Sequence, residues 1–119
     1  MSDARPPATV ESSLRLEAGI AADERAAIVA DWGRLDSRLR SFPEGTVELV
    51  LSVKERDTPS QRAVLEARID GYPTMVATST LADLRTALDD LRDDAIRQIT
   101  DAKNRSEPRN NRALREPTT

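Results

Sequence analysis

The sequence predicts an α+β fold: a β-α-β-β-β-α two-layer sandwich in which a four-stranded sheet carries two helices packed on one face. Three observations carry that prediction. Apolar and polar residues alternate in four short stretches, the period of a half-buried strand. In two longer stretches the apolar residues recur at +3 and +4, the period of an amphipathic helix. The 119 residues supply one hydrophobic core and not two. Each element then has one apolar face to bury, and a sheet covered on one side by helices buries all of them.

The elements follow in order. Residues 1–9 carry Pro6 and Pro7 and little apolar content, and read as a flexible leader. From Val10 the pattern alternates, with Val10, Ser12, Leu14 and Leu16 on one side and Glu11, Ser13, Arg15 and Glu17 on the other, a short first strand. Ile28, Trp32, Leu35, Leu39 and Phe42 then form one stripe of a helix from about Ala22 to Phe42. Asp23 and Glu24 in its first turn and Arg38 and Arg40 in its last suit the helix dipole. Pro43 stops it and Glu44-Gly45 turns the chain.

Residues Thr46 to Glu55 give the cleanest strand, with Val47, Leu49, Leu51 and Val53 inward. A polar loop, Arg56 to Ser60, leads to a third strand with Leu65, Ala67 and Ile69 inward. Asp70-Gly71-Tyr72-Pro73 is a hairpin turn, and Thr74 to Ser79 a last short strand. Thr80 with Asp83 resembles a capping box opening a second helix to about Asn104, whose stripe is Leu84, Leu88, Leu91, Ala95, Ile99 and Ala102. The domain therefore spans 10–104, and residues 105–119, with two prolines and almost no apolar side chains, read as a disordered basic tail.

Composition excludes several function classes. There is no cysteine and no histidine, which removes disulfides, thiolate nucleophiles, imidazole triads and Cys/His zinc sites. No uncharged stretch approaches the ~20 residues that span a bilayer, and MSDARPPATV has no apolar signal core. The expectation is a cytoplasmic chain with no membrane partner and no cofactor. Eighteen basic against 21 acidic residues give −3, against a general polyanion binder, yet Lys103 to Arg115 is locally +4.

The motifs Arg34-Leu35-Asp36, Val50-Leu51-Ser52-Val53-Lys54, Ala82-Asp83-Leu84-Arg85-Thr86-Ala87-Leu88-Asp89 and Arg97-Gln98-Ile99 occur in an order and at spacings that are informative together. By them the chain, from about Leu14 to Ala113, resembles the ribosome hibernation-promoting factor / ribosome-associated inhibitor family, also called the protein Y or sigma-54 modulation family, in its short type. The resemblance implies a fold similar to a double-stranded-RNA-binding domain and a non-catalytic role. Such a factor occupies the mRNA and tRNA decoding region of the small subunit, in 30S and 70S ribosomes, and silences translation under stress. It also implies 16S rRNA phosphate contacts from Arg25 and Arg34 on helix one, Arg97 on helix two, and Lys103, Arg105 and Arg109 after it. Two positions depart from the family pattern: Asp94 and Asp101 stand where the family typically has lysine, and residues Leu81 to Asn104 are net −2.

Other readings stay open beside this one. Arg34 and Arg38 have Glu24 and Asp31 nearby and suit a solvated, salt-bridged face as well as RNA. Asp89-Asp90 and Asp93-Asp94 read as an acidic surface helix or a docking face for a basic protein, rather than a magnesium site. Trp32 and Phe42 belong to the core stripe, leaving Tyr72 as the aromatic most open to solvent. The open sheet face carries Val50 and Val64 among Glu48, Glu66, Lys54 and Arg68, which is no aromatic RNA platform but offers an apolar patch for a homodimer. The alternative function is thus a divergent family fold serving protein–protein contact or dimerisation without the ribosome.

Overall fold

A computed structural model describes the backbone of residues 6–115 and the side chains of residues 6–105. The elements are α1 (Val10–Ser13), β1 (Leu14–Leu16), a 3₁₀ turn (Ala22–Glu24), α2 (Arg25–Asp31), α3 (Gly33–Leu39), β2 (Val47–Lys54), β3 (Arg62–Ile69), β4 (Met75–Ser79) and α4 (Leu84–Arg115). They build an α+β fold with a mixed sheet in the order β1-β2-β3-β4. β2 and β3 pair antiparallel along their whole length, from Val47 opposite Ile69 to Lys54 opposite Arg62, and β4 pairs antiparallel with β3. β1 runs parallel to β2, with Leu14 opposite Leu49 and Leu16 opposite Leu51. A parallel neighbour cannot be reached by a tight turn, so α2 and α3 form the crossover between them.

Strand alternation holds through the sheet. Val47, Leu49, Leu51 and Val53 of β2, Ala63, Leu65, Ala67 and Ile69 of β3, and Met75, Ala77 and Ser79 of β4 are all buried. Against them lie Ile28, Trp32, Leu35 and Leu39 of the crossover and Ala87, Leu91, Ala95 and Ile99 of α4. Each large aliphatic side chain so buried contributes roughly 1.5–3 kcal/mol, which makes this layer contact the main source of stability.

Five boundaries differ from the sequence reading. Val10–Ser13 is a helical turn and not strand, because Thr9 and Ser12 close a capping box: Thr9 Oγ1 accepts from the Ser12 amide and Ser12 Oγ from the Thr9 amide, both at 3.0 Å. The buried Val10 and Leu14 are four apart, so the alternation that suggested a strand also satisfies a turn of helix. The first long helix is two helices of seven residues, broken at Trp32 (φ −96°, ψ 20°) just before Gly33 and ending at Leu39 instead of Phe42. Glycine is a poor helix former, and the break keeps Trp32 fully buried on the stripe. α4 starts at Leu84, since its cap is Asp83 and not Thr80: Asp83 Oδ2 accepts from the Thr86 amide at 3.0 Å and the Thr86 hydroxyl at 2.6 Å.

The two remaining differences concern the termini. Pro6 to Thr9 is not a free leader: the Ala8 amide donates to Phe42 O and the Glu44 amide to Pro6 O, each at 2.8 Å, and Ala8 is fully buried. Residues 1–5 lie outside the described residues. Nor is the tail disordered from 105, because α4 continues to Arg115. Extending a formed helix avoids the nucleation cost, and the arginines, Glu107, Ala113 and Leu114 are good helix formers. Pro108 removes one bond of that extension, the one its N–H would give to the Asn104 carbonyl. Residues 116–119 again lie outside the described residues.

The loops are tied by polar contacts. Arg56 grips Glu24 with both terminal nitrogens at 2.8 and 2.7 Å and donates to Gly19 O, joining the β1–α2 and β2–β3 connections. The Glu24 carboxyl is pulled from its ordinary 4.5 to about 2, first by that hydrogen bond and then by the Ala21 amide. Gln61, 2% exposed, donates to Leu81 O and Ala82 O and accepts from the Asp57 amide, fastening the β2–β3 loop to the entry of α4.

Loss of the Arg56 grip has a defined pH signature. At pH 7 Glu24→Gln should lower stability by about 1 kcal/mol, the ceiling for a pair one-third exposed. The folded pKa lies below the unfolded one, so the advantage of wild type is complete above about 4.5 and lost as pH falls through about 2; urea titrations across that window measure it. Gly19→Ala should cost about 2 kcal/mol or more, since Gly19 has φ +89° and a Cβ would lie 2.0 Å from Val53 O. Gly33→Ala, with nothing within 4 Å, should instead stabilise by about 0.5–1 kcal/mol in the same titrations.

Candidate nucleic-acid interface

The helical layer carries the charge pattern that any interface must use. Residues 83–94 hold five aspartates against Arg85 and Arg92, a net −3. Residues 97–115 hold six basic side chains against Asp101 and Glu107, a net +4. Acid at the N-terminal end and base at the C-terminal end both complement the helix dipole. α4 is therefore electrically polarised along its length, although the chain as a whole is close to neutral.

In the acidic half the arginines are occupied. Arg92, with a side chain only 16% exposed, bridges Asp93 at 2.9 Å and Asp89 at 3.5 Å and donates to Asp31 O at 3.1 Å, fastening α4 to α2. Arg85 lies 3.9 Å from Asp31. The aspartates face arginines here, and among the described residues no three acidic groups gather as a metal site would require.

The residues that the family resemblance singled out have unequal surroundings. Arg25 turns inward to the edge of the sheet, donating from Nη1 to Leu14 O at 2.7 Å and from Nη2 to Glu11 O. It satisfies the Leu14 carbonyl on the outer side of β1 and ties it to the Glu11 carbonyl of α1. Arg34 is exposed on α3, 3.9 Å from Asp93, an arrangement worth at most about 1 kcal/mol and readily exchanged for another anion. Arg97 is 70% exposed and pairs with Asp94 three residues before it. Asp94 in turn accepts from Gln98 Nε2 at 3.1 Å, and the same nitrogen donates to Val76 O at 2.9 Å on the free edge of β4. The acidic departure at 94 thus lies on the one side chain that the resemblance ranks first in helix two.

Lys103 reaches across to α3. Its Nζ donates to Ser41 Oγ at 2.9 Å and stands 5.8 Å from the centroid of Phe42, whose ring meets Tyr72 edge-on at 5.6 Å. Arg105 and the exposed Asp101 line a cleft of about 510 Å³ with Tyr72, Met75 and Gln98. The side chain of Arg109 lies outside the described residues; its position follows Arg105 by four, on the same face of the helix. Sequence reasoning passed over Arg38 as a site residue. Arg38 shares a cavity of about 190 Å³ with Lys103, 65 positions away, and no local pattern signals that meeting.

The open sheet face carries a charged chain. Arg15 donates to Glu48 at 2.7 Å, and Arg68 reaches Glu48 at 3.2 Å and Glu66 at 2.6 Å. The Arg15 bond holds the Glu48 carboxyl below its ordinary range and raises the Arg15 guanidinium. Val50 and Val64 are half-buried beside this chain, and Val76, at 48%, is the most exposed large apolar residue among the described residues.

These features define the class: an α+β domain with one helical face, one salt-bridged open sheet face, and a last helix whose basic end runs on past the sheet. Comparison with family models and with curated proteins finds no match to the chain. No helix among the described residues is long and apolar enough to cross a membrane.

Because Arg25 ties β1 to α1, Arg25→Gln should destabilise the fold by about 1–2 kcal/mol through loss of its charged hydrogen bonds to Leu14 O and Glu11 O. Thermal unfolding measures it, and an exposed Arg34→Gln control should stay within about 0.5 kcal/mol.

Proposed function

We propose that the protein is a non-catalytic ribosome-binding factor of the hibernation type, which occupies the decoding region of the small subunit and excludes mRNA and tRNA. The observation that carries this reading is the segregation of charge on α4. In this reading its basic half, with Arg97, Lys103, Arg105 and Arg109, meets 16S rRNA phosphates; the helix extends ten residues past Arg105, ~15 Å at 1.5 Å per residue. The strand–helix–three-strand–helix order supports the family resemblance, and the motifs Arg34-Leu35-Asp36 and Arg97-Gln98-Ile99 fall on α3 and α4. Steric exclusion needs shape and grip and no reacting group, which suits a chain without cysteine or histidine. Arg25 contributes to this role through the integrity of β1, while Arg34 and Arg97 exchange an aspartate for a phosphate. Cytoplasmic residence and action under stress belong to the same proposal.

A second reading draws on Val50, Val64 and the exposed Val76, which surround Glu66 on the open sheet face and suit a homodimer through it. Salt separates the two, because phosphate contacts release counterions and weaken steeply with ionic strength whereas apolar contacts do not. Sedimentation with purified ribosomes through sucrose gradients is the test. Co-migration with 30S and 70S but not 50S, lost between about 50 and 200 mM salt, is the expected result. Removal of residues 106–119 should weaken binding by about tenfold or more while leaving the unfolding curve unchanged, since three phosphate contacts contribute a salt exponent near three. Protein remaining at the top of the gradient at low salt, as a dimer, supports the second reading.

A further inference from the structure

The geometry points to a phosphate-binding pocket between the C-terminal end of α3 and the last described turns of α4, built by Ser37, Arg38 and Ser41 on one side and Thr100, Lys103 and Asn104 on the other. Each trio falls at helical spacing, so its side chains share one face of the chain and confront the other trio across the gap. Ser37 gives its hydroxyl proton to Arg34 O at 2.8 Å, Ile99 is the apolar floor, and the other five lining residues carry side-chain donors; among the described residues that line the pocket there is no carboxylate. A site of permanent cations, hydroxyls and an amide selects an oxyanion.

The cavity of about 190 Å³, open to solvent on one side, has room for a tetrahedral oxyanion, and its open side leaves space for whatever the phosphate is attached to. The ordinary role of such cations is completion of the α3 dipole at its C-terminal end. That role needs one cation, and Arg38 in the last turn supplies it. Phe42 also draws Lys103 over from α4, but neither role gives a reason for Ser41, Thr100 and Asn104 to converge beside Arg38. Arg34, Arg85, Arg92 and Arg97 each face a carboxylate, whereas Arg38 faces none among the described residues. The negative end of the α3 dipole opposes an anion with roughly half a charge, which the full charge of the Arg38 guanidinium outweighs.

Free phosphate and the phosphodiester of an RNA backbone present the same group to these side chains. With RNA as the source, the pocket rests on the ribosome reading above and supplies it with Arg38 as a further contact. The test titrates inorganic phosphate into the ¹⁵N-labelled full chain at constant ionic strength. Saturable shifts confined to the amides of 37–41 and 100–104 are expected, with affinity reduced about tenfold in Arg38→Gln and in Lys103→Gln, and less in Arg38→Lys. Shifts that do not saturate, or an Arg38→Gln chain that binds phosphate as wild type does, overturn the proposal. Co-sedimentation identifies the source: weakened pelleting of a phosphate-defective Arg38→Gln chain with 30S assigns the pocket to RNA, and undiminished pelleting assigns it to a free phosphate species. A wild-type chain that does not pellet overturns the ribosome reading, while the phosphate titration decides the pocket independently.

Discussion

The parallel pairing of a three-residue strand with β2 is the constraint on which the rest depends. β1 is held by few ladder bonds, so its position relies on neighbours. Glu17 N to Leu51 O and Val53 N to Ala18 O prolong the pairing past the strand proper. Gly19 then lets the chain leave at a point where the Val53 carbonyl excludes any Cβ. On the outer side Arg25 covers the Leu14 carbonyl and links it to Glu11 O of α1. Because the pairing is parallel, the chain must travel back over the sheet before β2 can begin. That return path places α2 and α3 beside α4, buries Trp32 between layers, and delivers Ser37, Arg38 and Ser41 to Lys103. A simple hairpin at this edge would leave α4 alone on the sheet and no cleft between helices.

Arginine serves three distinct purposes in this chain. Arg25 and Arg56 hold backbone carbonyls at loops and edges, a structural use that long planar donors perform well. Arg15 and Arg68 knit the open sheet face through Glu48 and Glu66, which places charge across strand edges that would otherwise be flat and apolar. Arg34, Arg38, Arg97 and Arg105 stand on the helical face with weak or exchangeable partners. The low net charge of the sequence conceals this division, since carboxylates on the open sheet face, in the crossover and along the first half of α4 balance the arginines.

The strands β2, β3 and β4 were legible to within a residue or two because alternation sustained over five to eight positions fits a strand and little else. The same logic misled at Val10–Leu14, where four residues of alternation also fit one helical turn and the Thr9–Ser12 cap decided the matter. Trp32 satisfied the helical stripe and so gave no sign that the helix breaks beneath it. At the other end, prolines and polarity suggested disorder, but a helix already nucleated on the core carries its good formers onward. Of the candidate site, exposure was readable for Arg34 and Arg97 from their places off the apolar stripes. The use of Arg25 was not, because the Glu11 and Leu14 carbonyls it meets come together only once α1 and β1 have formed. Arg38 escaped for a similar reason: its partner Lys103 is 65 positions away and the two converge only through the crossover.

The polarised α4 makes the domain resemble a compass needle. A particle that is nearly neutral overall feels little net pull toward a polyanion, yet within a Debye length of roughly 8–10 Å it experiences a torque. The acidic end swings away and the basic end swings in, so approaches in the wrong orientation are turned before contact instead of being trapped by it. Near neutrality has a further effect, because it spares the chain the indiscriminate adhesion of a uniformly basic protein to every nucleic acid it meets.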